Sequence, residues 1–322
     1  MAHFSETQVL RAAIAVVSLL ATSACAADNK EAAPAKDSSS LKIFATTGYI
    51  GDAVKNVAPD ANLTVMVGPG GDPHTYQPST SDVKAMQEAN MIDQLKGLGD
   101  KQIALAEQIP ENMLLPWEED GDHDDHEGHD HEGHDHAGHN HGAWDPHVWN
   151  STDNWKLVVD QIVKKMSAAD PGKADTYKSN GADYNKKIDE TQAYVQEKIN
   201  TIPADQRTLV SGHDAFRYFG KQFGLEIKAT DFVTSDAQRS AAELNDLAEF
   251  IVKHKVPVIL QDASANPRAV KSLEENVAAK GGKVTVSSAE LYSDSLGATA
   301  PADTYTGALR YNADTIAAAY KG

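Results

Sequence analysis

Three histidines of the sequence lie in short motifs from which they could bind a metal ion together. His74 lies in Asp-Pro-His-Thr-Tyr after a predicted strand, His147 in Asp-Pro-His-Val-Trp before a predicted helix, and His213 in Ser-Gly-His-Asp after another predicted strand. Imidazole nitrogens bind borderline divalent cations, and ligands of open α/β sheets collect beyond the carboxyl ends of the strands. A tetrahedral site needs a fourth ligand, which Asp294 in Leu-Tyr-Ser-Asp-Ser-Leu-Gly can supply. A structural role for each single histidine, and a capping or turn role for Asp294, are the alternatives.

A second group of histidines forms an insert between the motifs of His74 and His147. Residues 126–140 contain three tandem five-residue repeats, His-Glu-Gly-His-Asp twice and then His-Ala-Gly-His-Asn. Since the run from 118 to 141 has almost no apolar residue, it cannot bury a face, and we expect a disordered loop. Imidazoles interleaved with carboxylates bind divalent ions weakly and in several geometries, whereas a solvated charged linker without a role is the alternative. The predicted auxiliary metal ligands are His123, His126, His129, His131, His134, His136, His139 and His141.

The hydrophobic periodicity predicts an α/β protein with two lobes, each built on a mainly parallel sheet. Apolar runs typical of buried strands alternate with helical patterns in both halves of the chain. The predicted strands are residues 41–47, 61–67, 208–211, 225–230, 256–261 and 283–287. The predicted helices are residues 51–57, 81–89, 153–168, 215–223, 241–254 and 267–279.

A long helical pattern connects the two lobes. Asp170 and Pro171 supply a helix cap with proline at the first helical position, and the pattern then continues from Lys173 to Ile199. Such a helix would be about 40 Å long, and we expect it to join the lobes rigidly. Because Gly181 disfavours a helix by about 1 kcal/mol relative to alanine, two shorter helices are the alternative.

The composition excludes several classes of protein. The 322 residues are 41% apolar, which is enough for two packed lobes. Acidic residues outnumber basic ones by 47 to 29 and give a net charge of -18, so we expect no nucleic-acid partner. The single cysteine, Cys25, excludes a disulfide framework and a site with several thiolate ligands.

The N-terminal residues are typical of a secretory signal peptide. Arg11 precedes an apolar run and a series of small residues, and the run is shorter than the ~20 residues that span a bilayer. We therefore expect a periplasmic or extracytoplasmic protein. Cys25 lies where a lipoprotein carries its acylated cysteine, whereas cleavage after Ala26 would remove this thiol, and both alternatives stay open. The predicted segments are a signal peptide at 1–26, a flexible leader at 27–40, an N-terminal lobe at 41–170 with the histidine-rich loop at 118–142, a connecting helix at 171–202 and a C-terminal lobe at 203–322.

The combined motifs resemble those of the metal-specific solute-binding proteins of ABC importers, the family for zinc and manganese uptake. The resemblance covers essentially residues 41–322 and rests on GDPHTYQPS, the histidine-rich insert, DPHVW, SGHDAFRYFG, TSDAQRSAAEL, LYSDSLG and Thr304-Tyr305. It implies two α/β lobes joined by one long rigid helix, with the metal held between them. The ligand positions of the family fall on His74, His147, His213 and Asp294.

The third ligand position separates two branches of this family. Glutamate is common there in the branch that prefers manganese, so His213 resembles the branch that handles zinc. Three imidazoles and one carboxylate also suit tetrahedral Zn²⁺ better than hard, six-coordinate Mn²⁺. The sequence departs from the family at Lys96-Gly97-Leu98, where Asn-Gly-Leu is frequent, and at Gln261-Asp262, where a glutamate often ends the strand. Asp262 could replace that carboxylate.

We therefore expect a monomeric binding protein that captures Zn²⁺ and delivers it to the membrane permease of an ABC transporter. It would contact the membrane only through that permease or through a lipid anchor on Cys25. We expect no enzyme, because four protein ligands leave no open position for a catalytic water. A manganese-preferring importer protein, and a metal buffer or cell adhesion protein whose activity lies in the insert, are the alternatives. A zinc hydrolase is disfavoured, since the sequence has no His-Glu-x-x-His motif.

Overall fold

The computed structural model of the chain describes residues 41–94, 102–116, 144–230, 240–262 and 266–321. Several parts of the sequence lie outside the described residues. They are the predicted signal peptide and leader with Cys25, the whole histidine-rich insert and the segment Lys96-Gly97-Leu98. None of the helices in the described ranges combines the length and the apolar character needed to cross a membrane.

The N-terminal half is built on a parallel sheet of four strands in the order β2-β1-β3-β4. Its elements are β1 (Lys42–Ala45), α1 (Gly48–Val57), β2 (Asn62–Val65), α2 (Thr80–Glu88), β3 (Met91–Gln94) and β4 (Gln102–Ala104). Short 3-10 helices follow at Ala106–Gln108, Glu111–Met113 and Val148–Asn150. The strands at β1 and β2 and the helices at α1 and α2 confirm the sequence pattern, whereas β3 and β4 are not predicted by it.

The C-terminal half contains two short parallel pairs of strands, β5 with β6 and β7 with β8. A parallel bridge between Ser211 and Leu260 brings β5 beside β7. The elements of this half are a 3-10 turn (Ala204–Gln206), β5 (Thr208–Ser211), α5 (Arg217–Phe223), β6 (Glu226–Ala229), α6 (Ala241–His254), β7 (Val258–Ile259), α7 (Pro267–Ala279), β8 (Thr285–Val286) and α8 (Tyr305–Ala319). α6 and α7 begin and end where the sequence predicts, and α8 is an additional helix.

Two helices lie between the halves, α3 (Thr152–Ala169) and α4 (Ala174–Asn200). α4 runs through 27 residues, about 40 Å, without a break, so the alternative of two shorter helices is wrong. Packing against α3 explains why residue 181 is a glycine, because a Cβ atom there would lie 2.4 Å from Cγ2 of Val163. Close approach of the two helices therefore outweighs the weak helical propensity of glycine.

The start of α4 differs from the prediction at Asp170. Residues Pro171–Lys173 form a 3-10 turn, and the side chain of Asp170 makes no capping hydrogen bond to it. Its carboxylate instead accepts a hydrogen bond of 3.3 Å from the hydroxyl of Tyr177, one turn into α4. The proline fixes the backbone before the helix. The aspartate stabilises the first turn of α4 through its hydrogen bond with Tyr177.

One hydrophobic cluster joins the two halves around α4. The buried face of α4 contributes Tyr177, Tyr184, Ile188, Val195 and Ile199. The same cluster contains Tyr49 of α1 and Tyr305 and Ile316 of α8. Since residues from both sheets share this core, a movement of one half relative to the other would expose apolar surface to water.

Replacing Gly181 with alanine should destabilise the protein although alanine favours helices. The added methyl group overlaps Val163, and overpacking of this kind costs about 1–3 kcal/mol of unfolding free energy. Urea unfolding of the metal-free protein measures the effect. The exposed Ser179→Ala in the same helix is the control and should leave stability within about 0.5 kcal/mol. If Val163→Ala does not reduce the destabilisation caused by Gly181→Ala, the steric explanation fails.

Candidate metal centre

The structure brings His74, His147, His213 and Asp294 together in one cluster. One nitrogen or oxygen atom of each side chain lies within 4.8 Å of those of the other three. The Nε2 atoms of His74 and His147 are 3.2 Å apart, and Nε2 of His213 lies 2.8 Å from Oδ2 of Asp294. The other carboxylate oxygen, Oδ1, lies 3.3 Å from Nε2 of His147. Three imidazole nitrogens thus face one carboxylate.

Loops at the ends of the strands carry three of the four residues. His213 follows β5 by two residues, and His74 and Asp294 lie in the longer loops after β2 and β8. His147 directly precedes the 3-10 helix before α3. This placement agrees with the expectation that ligands lie beyond the carboxyl ends of parallel strands.

Both Asp-Pro-His tripeptides fold in the same way. The carboxylate of Asp72 accepts a hydrogen bond of 2.8 Å from the backbone N–H of His74, and that of Asp145 accepts one of 2.9 Å from the N–H of His147. Such Asx turns fix the backbone two residues later. Each aspartate therefore fixes the backbone of the histidine two residues later and with it the direction in which the imidazole extends.

Two of the imidazoles are also held by carboxylates behind them. Nδ1 of His147 lies 2.8 Å from Oδ1 of Asp145, and Nδ1 of His213 lies 2.7 Å from Oδ1 of Asp262. An N–H at Nδ1 that donates to a carboxylate leaves Nε2 with its lone pair free for a metal. Asp262 in addition accepts hydrogen bonds from the backbone N–H of His213 and from the hydroxyl of Ser293, next to Asp294.

The loop of Asp294 is held by aromatic and amide side chains. The indole N–H of Trp149 donates to the carbonyl of Ser293 at 2.6 Å, and the hydroxyl of Tyr49 lies 3.3 Å from the same oxygen. One residue earlier, the amide of Asn312 in α8 accepts from the N–H of Tyr292 and donates to its carbonyl. Contacts from both halves therefore fix the backbone directly before Asp294.

The cluster is buried, and three of its polar atoms have no hydrogen-bond partner in the described part of the chain. His147 and His213 are completely buried, Asp294 is 1% exposed, and the ring of His74 is 12% exposed. Among the described residues, neither carboxylate oxygen of Asp294 nor Nε2 of His213 has a hydrogen-bond partner of acceptable geometry. Buried polar atoms without partners are rare, and an ion between these atoms would satisfy all of them. The residues present therefore fit a bound divalent cation.

Charge pairing strongly perturbs the protonation of the cluster. Burial lowers the pKa of His147, but the carboxylates of Asp145 and Asp294 outweigh it and raise the value to about 9. Burial likewise opposes protonation of His213, yet Asp294 and Asp262 raise its pKa well above the ordinary value. Burial would raise the pKa of Asp294, but the facing imidazoles, His213 first, hold it well below its usual range. The carboxylates thus favour the protonated form of His147 and His213.

The sequence motifs identify the four facing residues but not every residue that positions them. Asp262 was considered as a replacement for a glutamate, and the structure places it behind His213. The sequence does not indicate the roles of Tyr49 and Asn312, because no local motif marks a side chain that acts on a loop 20 or more residues away. The role of Asp145 has a sequence signal, since the aspartate of an Asp-Pro-His tripeptide is expected to orient the neighbouring loop. Cys25 and the eight histidines of the insert lie outside the described residues.

The chain is similar to known proteins over most of its length. The sequence profile of a family described as "ZnuA: Zinc-uptake complex component A periplasmic" matches residues 43–319. The chain belongs to this family. The manganese-binding lipoprotein MntA of Bacillus subtilis is 28% identical over 328 residues, which cover 97% of this chain and all of MntA. The zinc-binding protein TroA of Treponema pallidum is 31% identical over 294 residues, which cover 86% of this chain and 88% of TroA.

The fold agrees with this assignment. The solved structure of TroA from Treponema pallidum matches with a TM-score of 0.75 at 31% identity and covers 87% of this chain and 99% of that chain. The predicted two-lobed α/β fold with one long connecting helix is confirmed. The protein is therefore a periplasmic or extracytoplasmic metal-binding component of an ABC importer and works with a membrane permease. The family consists of binding proteins, so the protein is not an enzyme.

Metal affinity should rise with pH well beyond the range of an ordinary imidazole. A histidine binds metal only when neutral, and a pKa of about 9 for His147 means that a proton still competes at neutral pH. Zn²⁺ affinity, measured against a chelator at about pH 6, 7 and 8, should increase at least about tenfold per unit because at least one proton is displaced. Calorimetry in buffers of different ionisation enthalpy should detect the released protons. Equal affinity at about pH 7 and 8 would show that the imidazoles are already neutral.

Proposed function

We propose that the protein captures Zn²⁺ with high affinity through His74, His147, His213 and Asp294 and delivers it to the permease. The convergence of three imidazole nitrogens and one carboxylate within 4.8 Å carries this proposal. In a tetrahedral zinc site with ligand distances near 2.0–2.1 Å, the ligand atoms are about 3.4 Å apart. The separations of 3.2 Å between His74 and His147 and 3.3 Å between His147 and Asp294 are close to that value.

The donor set supports zinc over manganese. MntA is named as a manganese-binding protein, TroA as a zinc-binding protein and YfeA of Yersinia pestis as an iron-binding protein. Imidazole is a borderline ligand that suits Zn²⁺, while Mn²⁺ favours carboxylate, carbonyl and water oxygens in six-coordinate sites. A buried cluster with three nitrogens and few oxygens therefore favours zinc.

Changing His213 to glutamate should shift the metal preference. The replacement exchanges a borderline nitrogen for a hard oxygen, so the ratio of Zn²⁺ to Mn²⁺ affinity should fall by at least about tenfold. Titrations of the purified protein with each metal, in competition with a chelator, give the ratio. The ratio is the informative quantity, since almost any site binds Zn²⁺ more tightly than Mn²⁺.

His254→Glu is the matched control for this exchange. His254 ends α6, and its ring stacks on Phe250 with the centroids 4.2 Å apart, outside the cluster. This variant should keep the affinity ratio of the wild type. If His213→Glu also keeps that ratio, or if the wild type binds Mn²⁺ more tightly than Zn²⁺, the zinc assignment is wrong.

The histidine-rich insert is proposed as an auxiliary segment that binds metal weakly or senses it. The chain segments on the two sides of the insert pair with each other through an antiparallel bridge between Pro116 and Trp144. A hydrogen bond of 2.9 Å from the N–H of Asp145 to the carbonyl of Leu115 extends this pairing. Because the pairing holds Asp145 and its neighbour His147 from outside the insert, the tight site does not need the insert.

Deletion of residues 121–142 should therefore leave one tight Zn²⁺ site and remove only additional weak binding. Asp294→Ala should have the opposite effect, since it removes a ligand of the tight site and leaves the insert intact. Isothermal titration calorimetry of both variants beside the wild type measures the stoichiometry of each class of site. Loss of tight binding in the deletion variant would instead support a metal buffer or adhesin whose activity lies in the insert.

The organisation of the chain and its assembly complete the proposal. We propose a signal peptide at 1–26, a leader at 27–40, lobes at 41–170 and 203–322, and a connecting helix at 171–202, supported by the position of α4 between the sheets. Cleavage before Cys25 instead of after Ala26 is the alternative and would leave this cysteine as a lipid anchor, which is supported by relatives named as lipoproteins, among them MntA and the manganese transporter component PsaA. We propose a monomer, since the four ligands come from one chain.

A further inference from the structure

The first two residues of α5 contact both chain segments that flank the insert. The hydroxyl of Tyr218 accepts a hydrogen bond of 3.0 Å from the N–H of Leu115 and lies 3.0 Å from the carbonyl of Asp145, to which it donates. The guanidinium of Arg217 donates a hydrogen bond of 2.8 Å from Nη1 to the carbonyl of Pro116. A helix of the C-terminal half thus holds the segment from which His147 extends.

Arg217 also faces the carboxylate that orients His147. Oδ1 of Asp145 already contacts the backbone N–H and Nδ1 of His147, at 2.9 and 2.8 Å. Oδ2 is buried and has no hydrogen bond among the described residues, and Nη1 of Arg217 lies 3.7 Å from it. This distance is too long for a hydrogen bond but short enough for an ion pair, and the Asp145 side chain is fully buried. A buried carboxylate is destabilising unless a cation compensates its charge.

We propose that Arg217 is a positioning residue of the metal site. Its guanidinium stabilises the carboxylate of Asp145 in the position that presents Oδ1 to His147, and its contact to Pro116 fixes the guanidinium itself. The chain of contacts runs from α5 through Asp145 to His147. The inference rests on the proposed role of His147 as a ligand. It predicts that a residue that touches no metal controls the affinity of the site.

Arg217→Met keeps most of the side-chain length and removes the charge. Residues that orient metal ligands change affinity by 10–100-fold when they are replaced, so this variant should weaken Zn²⁺ binding by about tenfold. The rate of Zn²⁺ loss to an excess of chelator should rise by a similar factor. Arg207→Met is the matched control, because Arg207 also donates to a backbone carbonyl, that of Ile202 at 3.0 Å, and has no contact with the cluster among the described residues. It should leave affinity and dissociation rate unchanged.

A double-mutant cycle separates positioning from general stabilisation. Arg217→Met is measured in the wild type and in an Asp145→Asn background, where no carboxylate remains to be positioned. If Arg217 acts through Asp145, its effect on Zn²⁺ affinity should largely disappear in that background. An equal loss in both backgrounds, or a loss below about twofold in the wild type, overturns the proposal. Melting temperatures of the metal-free variants record any general destabilisation separately.

Two further variants, Arg217→Lys and Asp294→Ala, separate failure of this proposal from failure to fold and from failure of the proposed function. Arg217→Lys retains a charge and should show an intermediate affinity, and it replaces Arg217→Met in the cycle if that variant does not fold. Failure of the proposed function would look different, because Asp294→Ala would then bind Zn²⁺ as tightly as the wild type. An effect of Arg217→Met on affinity together with an effect of Asp294→Ala supports both conclusions.

Discussion

The proposed metal centre depends on a buried carboxylate that has no hydrogen-bond partner among the described residues. Asp294 is 1% exposed, and both of its oxygens point at imidazole nitrogens instead of at N–H groups of the backbone. A carboxylate in such a place requires positive charge, which protonated imidazoles supply in the absence of metal and a divalent cation supplies in its presence. The same electrostatic requirement therefore explains the raised pKa of His147 and the capacity to bind metal. Binding is an exchange of protons for an ion, with little change in the charge of the cluster.

Such an exchange requires that the ligands stay in place, and the joined halves provide this rigidity. The unbroken α4 packs against elements of both halves in one core. A polar contact reinforces it, since the carboxylate of Asp52 in α1 accepts from the hydroxyl of Tyr184 at 2.6 Å and lies 3.3 Å from the N–H of Tyr305 at the start of α8. Burial, the largest influence, raises the pKa of Asp52 despite these donors. His74 is the member of the cluster that is partly exposed, so the cluster lies nearest to solvent at its loop.

How much of this could be predicted from the sequence depends on the range of the signal. The helices α6 and α7 and the strand β5 follow from local periodicity, and the histidine motifs mark their own positions at the ends of strands. The role of Gly181 could not be predicted, because the contact with Val163 exists only after α3 and α4 have packed. The role of Asn312 could not be predicted either, because its amide binds the backbone of Tyr292 from α8, a helix that carries no motif. Residues that coordinate are chemically conspicuous in a sequence, while residues that position them are ordinary side chains made important by packing.

This difference also explains how one fold can serve several metals. The sheets, α4 and the shared core determine where the ligand loops meet, and relatives named for zinc, manganese and iron match over most of the chain. Metal choice must then arise from the few atoms at the centre. Here His213 and His147 are each held by a carboxylate at Nδ1, which orients Nε2 and raises its basicity. On the proposed assignment of His147 and His213 as ligands, Asp145 and Asp262 therefore contribute to metal binding by holding these imidazoles in place.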